Sequence, residues 1–218
     1  MAAYVGSAGG ANGAVFSNTL TFTTTSTIEI GERVVVSVKR AGVTVSSLSV
    51  GSLSLSLDVS AGNEFEFWSK QATSQIASGA TVTITFSAET SGANKNAIVD
   101  VLSGIDDTTP FRASASNSAF GSTMNSGTTD TTPQSGDLAI CGFFQAAATT
   151  ITGFGGGLTA ANTGLTRPQS GYEVLTASGA DSGTATLSAS DDYKAAICVY
   201  RAAAAATRVS RLLSLGVG

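Results

Sequence analysis

The run that most resembles a catalytic arrangement is acidic and aromatic: Glu64-Phe65-Glu66-Phe67-Trp68. Glycosidases use two carboxylates that face each other about 5 to 9 Å apart, and an aromatic ring beside them could stack on a sugar. Alternation along a strand instead places Glu64, Glu66 and Trp68 on one face, where the two acids crowd each other. We interpret the run as an exposed strand face, with Trp68 as a packing residue.

Two further pairs of acids, Asp106-Asp107 and Asp191-Asp192, lie in predicted loops. Calcium binds to loop carboxylates and carbonyls of this kind, and jelly rolls often carry it. No D-x-D-x-D-G loop accompanies either pair, so we interpret the four acids as solvated turn residues. We expect neither a metal nor a cofactor.

The other ingredients of catalysis are missing or misplaced. The chain contains no histidine, so a Ser-His-Asp or Cys-His arrangement cannot form. The glycine-rich stretch 153–157 lacks the Lys-Ser/Thr of a P-loop, and no G-x-S-x-G elbow occurs. Cys141 and Cys198 lie in predicted core strands, where we expect reduced, buried thiols that behave as small hydrophobes. The sequence predicts that the protein is not an enzyme.

Composition restricts the partners. Of the 218 residues, 42% are hydrophobic but only 12% are charged, and the net charge is −4. An acidic chain is a poor partner for nucleic acid, which is bound through clustered Lys and Arg. No apolar run approaches the ~18 residues of a membrane span, and the first residues do not resemble a secretory signal. We therefore expect a soluble protein that is synthesised in the cytoplasm, with no nucleic-acid or membrane partner.

Short strand patterns separated by Gly, Ser, Asn and Asp recur along the chain, and no amphipathic helix precedes residue 200. The clearest runs are 18–25, 32–39, 43–50, 53–57, 64–71, 81–86, 97–102, 136–144, 172–177, 184–189 and 194–201. They predict an all-β fold, a single jelly-roll-like antiparallel β-sandwich over residues 1–200. Its expected core residues are Val34, Val36, Ile84, Phe86, Ile98, Val99, Leu138, Ile140, Ile197 and Val199.

The two halves of the chain echo each other. Gly31-Glu-Arg-Val-Val-Val resembles Gly136-Asp-Leu-Ala-Ile-Cys, and Thr81-Val-Thr-Ile-Thr resembles Thr184-Ala-Thr-Leu-Ser. Lys95-Asn-Ala-Ile-Val-Asp-Val likewise resembles Lys194-Ala-Ala-Ile-Cys-Val-Tyr. One jelly roll made of two interleaved Greek keys would produce such an echo, and so would two tandem domains. The polar stretch 108–134 between the halves carries aromatic residues that suggest packing, so we favour one domain.

The last segment, residues 201–218, differs from the rest because it is rich in alanine and then basic and apolar. Three of the 11 basic residues of the chain fall within it. We predict a short C-terminal arm that docks on another subunit. The residues expected to bind that partner are Arg208, Val209, Arg211, Leu212, Leu213 and Leu215.

Over residues 28–201 the chain resembles β-sandwich structural proteins of tailed bacteriophages. The resemblance is carried by Gly31-Glu-Arg-Val34, Asp58-Val-Ser-Ala-Gly-Asn-Glu-Phe65, Thr81-Val-Thr-Ile-Thr-Phe86, Ala97-Ile-Val-Asp-Val-Leu-Ser-Gly104 and Gly136-Asp-Leu138. It implies a jelly-roll domain used for capsid decoration, display or adsorption, with no catalytic residues.

Two functions of different classes follow from these observations. The first is a capsid decoration or cement subunit on the virion surface, forming a homo-oligomer and binding its own copies or the major capsid protein. The alternative is a receptor- or carbohydrate-binding module of a phage tail or fibre. Such a module needs exposed aromatics beside carboxylates or amides, whereas aromatic residues are only 7% of this chain. An enzyme ranks below both.

Overall fold

The structure is a computed structural model that describes residues 1–13, 16–40, 42–61, 64–90, 95–145, 149–161 and 168–204. These residues form fifteen β-strands and, within the ranges just given, no helix. The strands are β1 (Ala3–Asn12), β2 (Ser17–Thr23), β3 (Arg33–Lys39), β4 (Val45–Val50), β5 (Leu53–Ser54), β6 (Ser56–Ala61), β7 (Phe65–Gln71), β8 (Thr81–Thr90), β9 (Asn96–Ser103), β10 (Phe111–Asn125), β11 (Leu138–Gln145), β12 (Ile151–Gly155), β13 (Thr159–Ala161), β14 (Gln169–Val174) and β15 (Thr184–Tyr200).

The strands form three antiparallel sheets. The middle sheet has the order β1-β9-β3-β7-β6, and the outer sheet has the order β2-β8-β4-β5. Strands of the second half form the folded sheet, β10-β15-β11-β14-β13, with β12 pairing to β15. Because every pairing is antiparallel and the sheets face each other across apolar cores, the predicted all-β antiparallel β-sandwich class is confirmed.

Strand β3 packs against a different sheet on each of its faces, which places its own sheet between the other two. Val34, Val36 and Val38 belong to the core shared with the outer sheet, whereas Val35 belongs to the core shared with the folded sheet. Every residue of β3 is buried. A strand covered on both faces reads as a continuous apolar run instead of an alternating one. The unbroken β-branched run Val34-Val35-Val36 within the predicted run 32–39 therefore has a physical cause.

The folded sheet bends back on itself, so that one part of it covers the face of another part that points away from the middle sheet. The second half of β15 pairs with β11, while its first half pairs with β12. A register shift between Gly121 and Thr123 lies where β10 follows this bend. As a result Met124 and Leu187 share a core with Phe143 of β11. A bulge bends a strand and increases its twist, which is what lets one sheet close over itself here.

All ten residues that the sequence predicted as core are at most 2% exposed. Gly51 and Ser52, which separate the predicted runs 43–50 and 53–57, form a turn between β4 and β5, with Gly51 at a φ of 57°. Other boundaries differ. The predicted strands 184–189 and 194–201 are one strand, β15, and the polar stretch 108–134 contains β10. Most of the segment between the predicted runs 53–57 and 64–71 belongs to β6, and Gly62 and Asn63 lie outside the described residues.

The order of the middle sheet is repeated in the folded sheet. Arg33 of β3 pairs with Leu102 and Gln71, and Leu138 of β11 pairs in the same way with Tyr200 and Val174. The echo between the two halves of the sequence thus corresponds to a repeated strand order. The two registers make Asn96 equivalent to Lys194. The sequence similarity had aligned Lys95 with Lys194, which is one residue away.

Candidate interaction sites

Glu66 is not on an exposed strand face, so that prediction is wrong. Its side chain is only 2% exposed, and Oε1 lies 2.8 Å from Arg40 Nε. Trp68 Nε1 donates a hydrogen bond of 2.8 Å to Oε2, and the Val45 backbone N–H donates another of 3.3 Å. The outer sheet covers this face of β7, so the carboxylate needs an internal partner. Trp68, 8% exposed, packs in the core as predicted.

Glu64 has a different partner from Glu66. Its Oε1 lies 3.0 Å from Lys194 Nζ of β15, and both side chains are about one-third exposed. The two acids therefore serve separate ion pairs, one inside the sandwich and one at its surface. They do not form the facing pair that glycoside hydrolysis requires.

The acids at 106 and 107 hold a turn and a strand end. Asp106 Oδ1 accepts hydrogen bonds of 2.8 Å from the backbone N–H groups of Thr109 and Thr108, and these bonds lower the pKa of Asp106. Asp107 lies 3.2 Å from the guanidinium of Arg33, which also donates to Ser69 Oγ. Both acids have the roles of turn and ion-pair residues.

The other pair is divided between interior and solvent. Asp191 and Asp192 lie within β15, so the prediction of a loop is wrong here. Asp191 is buried and accepts a hydrogen bond of 2.7 Å from the Thr149 hydroxyl, whereas Asp192 is exposed, as expected. Among the described residues, no group of three or more His, Cys, Asp or Glu side chains could hold a metal ion.

Asp137 holds the first residues of the segment 201–218 to the body of the fold. It forms a buried ion pair with Arg112 and accepts a 3.0 Å hydrogen bond from the Ala202 backbone N–H. The Ala203 N–H donates to the Gly104 carbonyl at 2.8 Å, so the body of the fold holds the chain up to that point. The six predicted partner-binding residues, Arg208, Val209, Arg211, Leu212, Leu213 and Leu215, lie outside the described residues.

Asp100 is the most unusual ionisable group of the interior. It is fully buried on β9, where the middle sheet meets the folded sheet. Tyr4 donates a hydrogen bond of 2.8 Å and Ser170 one of 3.1 Å, both to Oδ1. Burial raises the pKa of Asp100 to about 7, an effect that these two hydrogen bonds only partly oppose. A lone acid within an apolar run was the only sign of this in the sequence.

The two thiols are free and buried, as predicted. Burial raises the pKa of Cys141 and that of Cys198 far above the ordinary range. A thiol held in its neutral form is a poor nucleophile and a poor metal ligand. Both cysteines are therefore packing residues.

Glu173 and Asp181 form an acidic pair that the sequence did not suggest. They line a cavity of about 140 Å³ together with the loop 175–180. Burial raises the pKa of each carboxyl, and the charge of Asp181 raises the pKa of Glu173 further. Raised carboxyl pKa values are common in active sites, although structural acids also show them. A shared cavity and raised pKa values make these two acids the pair at which a test for catalysis is best aimed.

A groove opens where β10 and β15 extend past the end of the middle sheet. One part, about 350 Å³, is lined by Glu64, Phe65, Asn117 and Lys194 together with Ala61, Ser116 and Ser118. The adjoining part, about 460 Å³, shares Ser118 and Lys194 and adds Ala119, Phe120, Asp192 and Tyr193. We call this surface the Phe120 groove. It combines an exposed aromatic ring, hydroxyls, an amide and charged groups.

No helix long and apolar enough to cross a membrane occurs among the residues that the structure describes. Compared with known proteins, the chain matches no protein-family model, no curated protein and no solved structure.

Proposed function

We propose that the protein is a non-enzymatic structural subunit of a tailed-phage virion, most specifically a capsid decoration or cement protein. The observation that carries the proposal is how the fold uses its charges. The ion pairs Arg40–Glu66, Arg112–Asp137, Arg33–Asp107 and Lys194–Glu64 each join two separate segments of the described chain. Charges committed to holding the body together suit a rigid subunit better than they suit a reactive centre.

Strand order in the first half is a second support. Strands β1, β3, β6, β7 and β9 lie in the middle sheet, with β6 at its edge beside β7, and β2, β4, β5 and β8 lie in the outer sheet. We propose that this alternation is that of a jelly roll, a double-sheet fold found in viral capsid domains. Fold likeness does not determine function, so this support is weaker than the use of the charges.

The proposed partners are other copies of the chain or the major capsid protein, with the C-terminal arm as the contact. The body holds the chain as far as Ala203. The fifteen residues that follow, 204–218, could span at most about 54 Å when fully extended, enough to reach a neighbouring subunit. Burying each leucine of the arm would contribute roughly 1.5 to 3 kcal/mol, more than exposed arginine ion pairs contribute.

The test is to purify phage particles from the strain or lysate that encodes this chain and to identify their proteins by mass spectrometry. A decoration subunit will be present in numbers comparable to the major capsid protein. Its absence from purified particles, with the protein present in the lysate, would refute the virion role. Deletion of residues 207–218 tests the arm: the truncated chain should keep its thermal stability yet no longer co-sediment with particles.

The proposal that the protein is not an enzyme can be tested at the acidic pair of Glu173 and Asp181. We expect no hydrolysis of aryl glycosides or of oligosaccharides by the purified full chain. Glu173→Gln is the matched variant. Hydrolysis by the wild type that disappears in Glu173→Gln, with unchanged folding, would show that this pair is catalytic and that the proposal is wrong.

A further inference from the structure

We propose that the Phe120 groove is a binding site for a neutral, hydroxyl-rich carbohydrate. This inference goes beyond the virion role. It does not depend on that role, because the groove would bind a carbohydrate whether or not the protein belongs to a virion. The inference is based on the geometry of the groove, its charge balance and one exposed ring.

The geometry comes from the register of two strands. Ser118 pairs with Lys194 and Phe120 pairs with Asp192, so these four side chains lie on one face of the folded sheet. Two positions along the same face, Ala196 packs against the middle sheet. The face that is covered at Ala196 is therefore uncovered at Phe120, and the end of the middle sheet, with Glu64 and Phe65, forms the wall of the groove.

Phe120 supplies the apolar surface that a sugar ring needs. It is 71% exposed, one of the most exposed large hydrophobic residues among those described. An aromatic face can pack against the C–H groups of a pyranose, while the sugar hydroxyls bond to polar groups beside it. Ser116, Ser118 and Asp192 offer such groups along the groove. Each part of the groove also falls within the roughly 300 to 1,000 Å³ typical of ligand pockets.

Charge balance argues for a neutral ligand. Lys194 is the one cation lining the groove among the described residues, and Glu64 lies 3.0 Å from it. Asp192 leaves the groove with one excess negative charge, on a chain whose net charge is already −4. Sulfated or phosphorylated polymers would meet repulsion there. A neutral oligosaccharide meets none, and it can use both members of the ion pair as hydrogen-bond partners.

The experiment is titration of the ¹⁵N-labelled full chain with maltotriose, chitotriose and lactose at millimolar concentrations, followed by amide chemical shifts. We expect saturable shifts confined to residues 116–120, 192–194 and 64–65 with at least one of the three probes. Phe120→Ala should weaken that binding about five- to tenfold, as expected for loss of one ring contact. Phe16→Ala is the matched control, because Phe16 is 68% exposed and does not line the groove; it should bind as the wild type does.

Three results would overturn the inference. One is the absence of saturable shifts at the groove for all three probes, with both variants folded. The second is equal weakening by Phe120→Ala and Phe16→Ala, which would indicate nonspecific contact with exposed rings. The third is a stronger response to heparin than to any neutral probe, which would assign the groove to an anionic ligand.

Discussion

The two halves of the molecule have the same strand order, but they differ in whether equivalent strands are separate or continuous. In the first half, β8 and β9 are separate strands in different sheets, and so are β1 and β2. In the second half the corresponding pairs are continuous, as the bent strands β15 and β10. Two separate sheets thus correspond to one sheet folded on itself. Strand order is therefore kept while strand continuity varies, because a bulge can replace a loop.

The halves also differ in how they treat polar groups at equivalent positions. Val35 pairs with Asp100, and Ile140 pairs with Cys198, so a carboxyl in one half corresponds to a thiol in the other. Val38 pairs with Glu66, and Phe143 pairs with Gln169. By the same register the buried pair Arg40–Glu66 corresponds to two glutamines, Gln145 and Gln169. At these equivalent positions, then, the first half carries ionisable groups where the second half carries a thiol and two amides.

The substitutions with the greatest expected loss of stability test whether the two halves unfold together. Phe86→Ala removes a ring from the core of the first half and Phe143→Ala one from the second, and both residues are at most 2% exposed. Each should lower the free energy of unfolding by about 3 to 5 kcal/mol. Because a third core joins the halves, we expect one shifted transition in calorimetry for either variant. Two resolved transitions, with only one of them moved by each substitution, would make the halves independent.

The second prediction concerns Asp100, whose pKa is raised to about 7. Between pH ~4 and ~7 the folded protein retains a proton that the unfolded chain has lost, so this group lowers stability as pH rises through that window. Above the window its effect is constant, at up to about 4 kcal/mol. Asp100→Asn should flatten the decrease in denaturation midpoint between pH 4 and pH 8. Cys198→Ala, at the equivalent position, should leave the pH dependence unchanged; an unchanged slope in Asp100→Asn would refute the assignment.

The third prediction uses the second half as a template for the first. Glu66→Gln leaves Arg40 buried without its counter-charge and should cost about 3 kcal/mol in urea unfolding. Adding Arg40→Gln copies the residues of the second half and should recover most of that loss. Glu64→Gln is the control, since its partly exposed pair should contribute less than about 1 kcal/mol. If the double variant is no more stable than Glu66→Gln alone, the proposed equivalence fails.

The smallest effect is expected at two matched glycines. Gly31 precedes β3 with a φ of 88°, and Gly136 precedes β11 with a φ of 90°. An added methyl group would meet no atom within 4 Å at either site, so only backbone strain opposes it. Gly31→Ala and Gly136→Ala should each lower stability by about 1 kcal/mol. Losses that differ between the two by more than that would show that the turns are not equivalent.

The strands that the sequence predicted well are those marked by an apolar run or by apolar alternation, whether both faces are covered, as in β3 and β11, or only one, as in β8. β3 and β11 could be found from their apolar runs, and the buried thiols followed from lying in such runs. The edge strands β1 and β10 could not be found in this way. Their residues are mostly Gly, Ala, Ser and Asn, and much of their surface is exposed, so no apolar alternation marks them. Pairing with β9 and β15 makes them strands.

The sequence by itself determined the β class, the central strands and the lack of any histidine-based chemistry, because these depend on residue type and local period. Only the tertiary structure decided which face meets which sheet. Alternation along the strand placed Glu66 on the face of Trp68, and the structure does the same. The burial of Glu66, however, depends on an outer sheet built from other segments of the chain. Asp100 meets Ser170 across 70 residues of chain. A period of two specifies the face of a side chain, but its partner depends on contacts distant in sequence.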